Sequence, residues 1–371
     1  MRGFGPRELF RLTPTLSPLG RGSPPNAWPA FRLIFLPIAF ALAATSPARA
    51  DVADFYRGKT LRIYVGYGPG AGYDVYARLL GRHIGKYIPG QPTVIIQNMP
   101  GAASMTMMNY LYNVAARDGT AIGLPARGLF IEPLFGNDNA KYDAMRFTWI
   151  GSMSRDTALC FSWHTSGIRT IDDATKREVL TGSSGVNGSS HQMPMIVNAF
   201  LGTKFKPLLG YVDSAGVGLA MERGELEGYC SFTWGSIKSA RPKWVEDKLI
   251  NILLQLAVTR NPELPAVPLI MDYAKTDMAR QAFELVFADQ EMGRPVVGPP
   301  DVPAERVEAL RRAFDASMKD ADLLAEAARM TTDIDPIDGP AAAAIQARLA
   351  ATPKSVIERV KQIYAGGANA K

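Results

Sequence analysis

The residues best placed to do chemistry are Gly66, Gly68, Gly70 and Gly72, four glycines at two-residue spacing around Tyr67, Pro69, Ala71, Tyr73 and Asp74. Glycine has no Cβ and reaches positive φ at little cost, so a loop of this kind lets the backbone approach a ligand closely. The loop runs into a segment whose apolar positions Tyr76, Leu79, Leu80, His83, Ile84 and Tyr87 follow helical spacing. A helix start leaves backbone N–H groups unpaired and carries about half a positive charge. The chemistry expected here is anion binding, within reach of Tyr67, Pro69, Gly70, Ala71, Gly72, Tyr73 and Asp74.

Two other phosphate-binding patterns fit less well. No Lys-Ser or Lys-Thr follows the glycines, as a P-loop needs. Gly66 to Ala71 satisfies G-x-G-x-x-A, but the next strand, from Thr93, ends in Gln97-Asn98, where a dinucleotide site needs an acidic residue. The remaining alternative is a turn that only packs a helix on a sheet.

The elements around the loop read as α/β. An alternating run at Leu61, Ile63 and Val65 precedes it. A second strand, TVIIQN, ends at the small-residue loop Met99-Pro100-Gly101-Ala102-Ala103-Ser104 before a helix from Met105 to Ala116. A third, TAIGLPA, follows the Asp118-Gly119 turn and ends at Arg127-Gly128. Ligands of open α/β sheets bind at the carboxyl ends of strands, which brings Ala103, Ser104, Arg127 and Gly128 to the edge that holds the glycine loop. Arg127 either pairs a carboxylate with its planar fork or is a surface residue paired with Glu132.

Catalytic, metal and cofactor chemistry have no support. No G-x-S-x-G elbow and no identifiable pair of cleft carboxylates occurs. His83, His164 and His191 lack metal spacing, and His83, on an apolar helix face, reads as a core or boundary residue.

Residues 1–50 contain six Arg and one acidic residue, an apolar run LIFLPIAFALAA, and Ala48-Arg49-Ala50. This predicts an export signal removed after Ala50 and a periplasmic protein. Setting those residues aside lowers the formal net charge from +6 to about +1, so there is no basic surface for nucleic acid. Cys160 and Cys230 would then meet an oxidising compartment. They form a disulfide or serve as small core residues.

An ordered set of stretches resembles the periplasmic solute receptors of tripartite tricarboxylate transporters, also called Bug-type receptors. The set comprises Phe55 to Ile63 with Gly68-Pro69-Gly70-Ala71-Gly72-Tyr73-Asp74, then Asn98 to Ala102, Arg117 to Thr120, and Gly298 to Pro303. Tyr73, in place of a small polar residue, and the charged Arg127 depart from the family pattern. The resemblance implies an α/β, two-lobed periplasmic-binding-protein fold, type II-like, with a cleft between lobes joined by a hinge. Lobe 1 then takes residues 51–153, lobe 2 residues 154–257, and residues 258–371 return to lobe 1 and finish as helices. It also implies a small organic acid as ligand, membrane transporter subunits as partner, a monomer and no cofactor. The alternatives are a sensory receptor that signals to a membrane kinase and a periplasmic hydrolase on the same fold.

In lobe 2 the resemblance points to the polar loop after the strand Glu178 to Thr181, with Ser183, Ser184, Ser189 and His191 facing the ligand. Hydroxyls donate hydrogen bonds without adding charge. Ser189 could instead cap a helix. Tyr211, Asp213 and Ser214, at the next strand-to-helix joint, complete the expected site.

Overall fold

The computed structural model describes residues 52–186, 188–211 and 214–366. The predicted export signal and Asp213 lie outside the described residues. The strands are β1 (Thr60–Val65), β2 (Thr93–Asn98), β3 (Ala121–Leu124), β4 (Thr148–Ser152), β5 (Ala158–Trp163), β6 (Val179–Ser183), β7 (Phe205–Leu209), β8 (Gly228–Thr233), β9 (Ile250–Leu256), β10 (Pro295–Gly298) and β11 (Ile337–Asp338). They form two sheets, β11-β4-β10-β3-β1-β2 in lobe 1 and β7-β6-β8-β5-β9 in lobe 2.

In lobe 1 the alternating apolar residues of β1 are buried on the helix Gly72–Ile84, which contributes Tyr76, Leu79, Leu80 and Ile84. Each such side chain stabilises the fold by about 1.5–3 kcal/mol relative to exposure. His83 on that face is buried and bonded to Glu326, with Asp320 on its other side, so it is a satisfied boundary residue. Phe314 of the helix Ala304–Ser317 belongs to the same core.

Lobe 2 is built on contiguous chain. Cys160 in β5 stands opposite Cys230 in β8, and the two form a disulfide across neighbouring strands. Of the two alternatives for these cysteines, the bridge is the one formed, and both residues are fully buried. Outside the sheets, the helix Lys354–Tyr364 packs on the helices Ser189–Leu201 and Asp277–Phe287.

Candidate functional site

Strand direction brings the loops of the two lobes together. The chain passes to lobe 2 between Ser152 and Ala158, and returns between Leu256 and Pro295. Ser152 pairs with Pro295, and β10 runs antiparallel to β3, so the carboxyl end of β3 lies at the crossover end of its sheet. β1 is parallel to both β3 and β2, which puts Val65 and Asn98 there too. In lobe 2, Ala158 pairs with both Thr233 and Leu256. β6 is parallel to β8 and to β7, so Ser183 and Leu209 end at that same edge. The carboxyl ends of β1, β2, β3, β6, β7 and β8 therefore all lie toward the crossovers.

The lobe 1 wall is a set of loops locked to one another. Asp74, only 1% exposed, accepts hydrogen bonds from the Gly70 N–H, Arg78 Nε and Asn98 Nδ2, each at 2.8 Å. Burial works against its charge, but these bonds outweigh burial and hold its carboxyl below the usual range. Its oxygens shape the loop. Pro69, Gly70 and Gly72 are exposed, and Ala71 is partly so. Gly70 has φ +82°, and a Cβ there would meet no neighbouring atom.

The loop after β2 is strained. Ala102, Ala103 and Ser104 all have positive φ, at 45°, 51° and 80°. L-residues pay about 1–2 kcal/mol each in that region. The turn drives Ser104 inward against Gly66, where a Cβ would overlap its Oγ, and the same Oγ accepts the Ala126 N–H at 3.2 Å. Ser104 is thus fully buried, whereas Ala103 is exposed.

Tyr67 and Tyr73 stack at 5.0 Å, and burial pushes the Tyr67 hydroxyl up to about 12. Tyr73 Oη accepts the Arg127 N–H at 3.1 Å. Arg294, from the return crossover, lies 4.8 Å from the ring centroids of both Tyr73 and Tyr76.

The floor between the lobes is an ion cluster. Arg127 pairs with Asp156 and, at 3.2 Å, with Asp289. Its partners are these two crossover carboxylates and not Glu132. Arg294 Nη1 also donates to Asp156, at 3.1 Å. Burial opposes the charge of Asp156, yet the two guanidiniums hold its carboxyl below the normal range. For Asp289 burial wins, and its pKa is raised. Beside the cluster is a cavity of about 480 Å³ lined by Asp156, Trp234, Lys238, Gln290 and Asp333. Trp234 is buried and donates to Glu263 at 2.7 Å. Gln290 Oε1, Ser154 Oγ and Arg294 Nε are buried without a partner among the described residues.

The lobe 2 wall begins at Ser183, which is fully buried. Ser190 Oγ accepts the Ser184 N–H at 3.2 Å and lies 3.4 Å from Ser183 Oγ. Ser189 is exposed at the start of its helix, whose N-cap is Gly188, and makes no cap bond itself. His191 Nδ1 is buried without a partner among the described residues. Tyr211 is partly exposed, and Ser214 opens the helix Ser214–Glu222. Leu209 and Val186, at the same edge, are 53% and 50% exposed.

Most of the expected residues therefore lie on strand-end loops at the facing edges. Asp74 and Arg127 are there too, with their polar atoms already bonded within the protein. None of the expected residues lines the 480 Å³ cavity. Sequence reasoning missed Arg294, Asp156 and Leu209. The only hint of Arg294 is the aromatic Tyr73 at a position where the family pattern has a small polar residue.

Two α/β lobes with facing strand-end loops and two crossovers define a solute-binding-protein architecture. Solved structures share it: a TctC solute-binding protein from Polaromonas has a TM-score of 0.65 at 19% identity, covering 82% of this chain and 99% of that one. The periplasmic binding protein BugD gives 0.57 at 16% identity, covering 83% and 98%. MatC from Rhodopseudomonas palustris with bound malate gives 0.55 at 17% identity, covering 82% and 99%. No family model matches the chain, and no curated protein matches it. The fold is that of the TctC and Bug-type solute-binding proteins.

Proposed function

We propose that the chain is a periplasmic solute-binding protein that captures a small organic anion and passes it, as a monomer, to the membrane subunits of a tripartite tricarboxylate-type transporter. The observation that carries this reading is the convergence of the exposed glycine loop with the serine loops of lobe 2 across the crossovers. A related fold holding malate supports a carboxylate as ligand. Pro69 to Gly72 and Ala103 offer exposed backbone at a helix start and a strained turn, and Ser184, Ser189, Gly128, Tyr211 and Ser214 stand at the same edges. Ligand binding then favours the closed arrangement of the lobes.

No step of bond making is part of this reading, and the related folds are described as binding proteins. Export rests on residues 1–50. A thermal-shift screen of residues 51–371 against organic acids and their amides tests it. Stabilisation rises with ligand concentration over Kd. A dose-dependent shift with an acid and none with its amide supports the anion receptor. Shifts with neutral compounds only, or turnover of any of them, overturn it.

A further inference from the structure

We infer that the anion is a monocarboxylate with an apolar body, not a dicarboxylate. This rests on the reading of the cleft as an organic-anion site, and it follows from a count of charge along its walls. Arg78 is bonded to Asp74, and Arg127 to Asp156 and Asp289. Arg155 holds Asp335 through two bonds of 2.9 and 2.6 Å, and Lys238 holds Glu263 at 2.9 Å. Asp74 also places a carboxylate against the loop that would receive the ligand.

Arg294 differs from these. Its Nη1 serves Asp156, its Nε is buried with no partner among the described residues, and its Nη2 lies 4.0 Å from where a Cβ of Gly72 would sit. The guanidinium carbon lies 4.8 Å from the ring centroids of both Tyr73 and Tyr76, and Nη2, on the Gly72 side, is the donor left for a ligand. That donor suits one carboxylate beside the helix start, in a charge-assisted hydrogen bond.

Among the described residues, the opposing strand-end loops offer no Lys or Arg. Leu209 and Val186 present exposed apolar surface at the edge of lobe 2, and the buried serines bond one another. A second carboxylate pressed there loses water without gaining a cation, whereas a methylene chain or ring gains by burial.

Hexanoate and adipate form a matched pair that differ by one carboxylate. Calorimetric titration of residues 51–371 is expected to give at least tenfold tighter binding of hexanoate, with hexanamide silent. Arg294→Gln is expected to lose at least tenfold for hexanoate. Because Arg294 also serves Asp156, a second variant on exposed Leu209 tests the wall independently of folding: Leu209→Arg should move the preference toward adipate. Adipate binding as tightly as hexanoate, or a Leu209→Arg preference unchanged from the parent, overturns the inference and leaves the anion receptor standing. Failure of every organic acid in the screen removes both.

Discussion

Arg294 stands 4.8 Å from the ring centroid of Tyr73, so a guanidinium from the return crossover rests on the first turn of the glycine-loop helix. The hinge and the lobe 1 wall are thereby one packed unit. Tyr73→Leu removes this contact, the stack on Tyr67 and the acceptor for the Arg127 N–H, and is expected to destabilise by about 1–3 kcal/mol. Tyr73→Phe loses only the acceptor, at about 0.5–1.5 kcal/mol. Urea unfolding of the two variants gives the comparison, and equal losses would mean that the ring's contacts with Arg294 and Tyr67 together contribute nothing.

The two aspartates on Arg127 are expected to respond oppositely to pH. Asp156 has a depressed folded pKa, so its stabilisation is present above the unfolded value of about 3.9 and is lost as pH falls through the folded one. Asp289 has a raised folded pKa, so its contribution is complete below about 3.9 and is lost as pH rises through the folded value. At pH 7, Asp156→Asn should cost about 3–5 kcal/mol by leaving two guanidiniums facing each other, and Asp289→Asn distinctly less. The gap should narrow at pH 3. Denaturant midpoints at both pH values check the order.

Gly68 and Gly70 separate ligand approach from backbone strain. A Cβ on either meets no protein atom, but only Gly70 has positive φ. Gly70→Ala is expected to cost about 1–2 kcal/mol of stability. Gly68→Ala should stay within about 0.5 kcal/mol of the parent and still weaken binding of the screened acid at least tenfold. Unchanged affinity would take the loop out of the site.

Gly66 is fixed for a different reason, since Ser104 Oγ occupies the place of its Cβ. Gly66→Ala should destabilise by about 1–3 kcal/mol through overpacking. Adding Ser104→Gly removes the obstructing hydroxyl and relieves a φ of 80°, so the double variant should recover part of the loss. Thermal unfolding of single and double variants measures the coupling.

The disulfide closes a 70-residue separation inside lobe 2. Replacing both cysteines with alanine is expected to cost about 2–5 kcal/mol. Thiol labelling of the parent without reductant should be negligible even after denaturation, because both sulfurs are held in the disulfide.

The local signals in the chain were legible. The glycine loop, the strands of β1 to β3 and the helix Gly72–Ile84 stand close to where periodicity puts them. β10 and β11 were not: β11 has two residues, and the four of β10 lack the Asp-Gly turn that announces the equally short β3. Arg127 shows the deeper limit. Its position at a strand end is readable, yet its partners Asp156 and Asp289 are 29 and 162 residues away and meet it only through the crossovers. Arg294 is hidden for the same reason.

The placement of β10 between β3 and β4 also sets an order of assembly. The hydrogen-bonded ladder of the first sheet cannot be joined until residue 298 has emerged, since among the described residues β10 is the strand that pairs with both β3 and β4. The five strands of the second sheet are complete by Leu256. The middle of the polypeptide can therefore organise while its beginning still waits for a late strand. Under the export proposed above, a first sheet that stays unfinished until residue 298 has been made would keep the leading part of the chain unfolded for passage through a membrane.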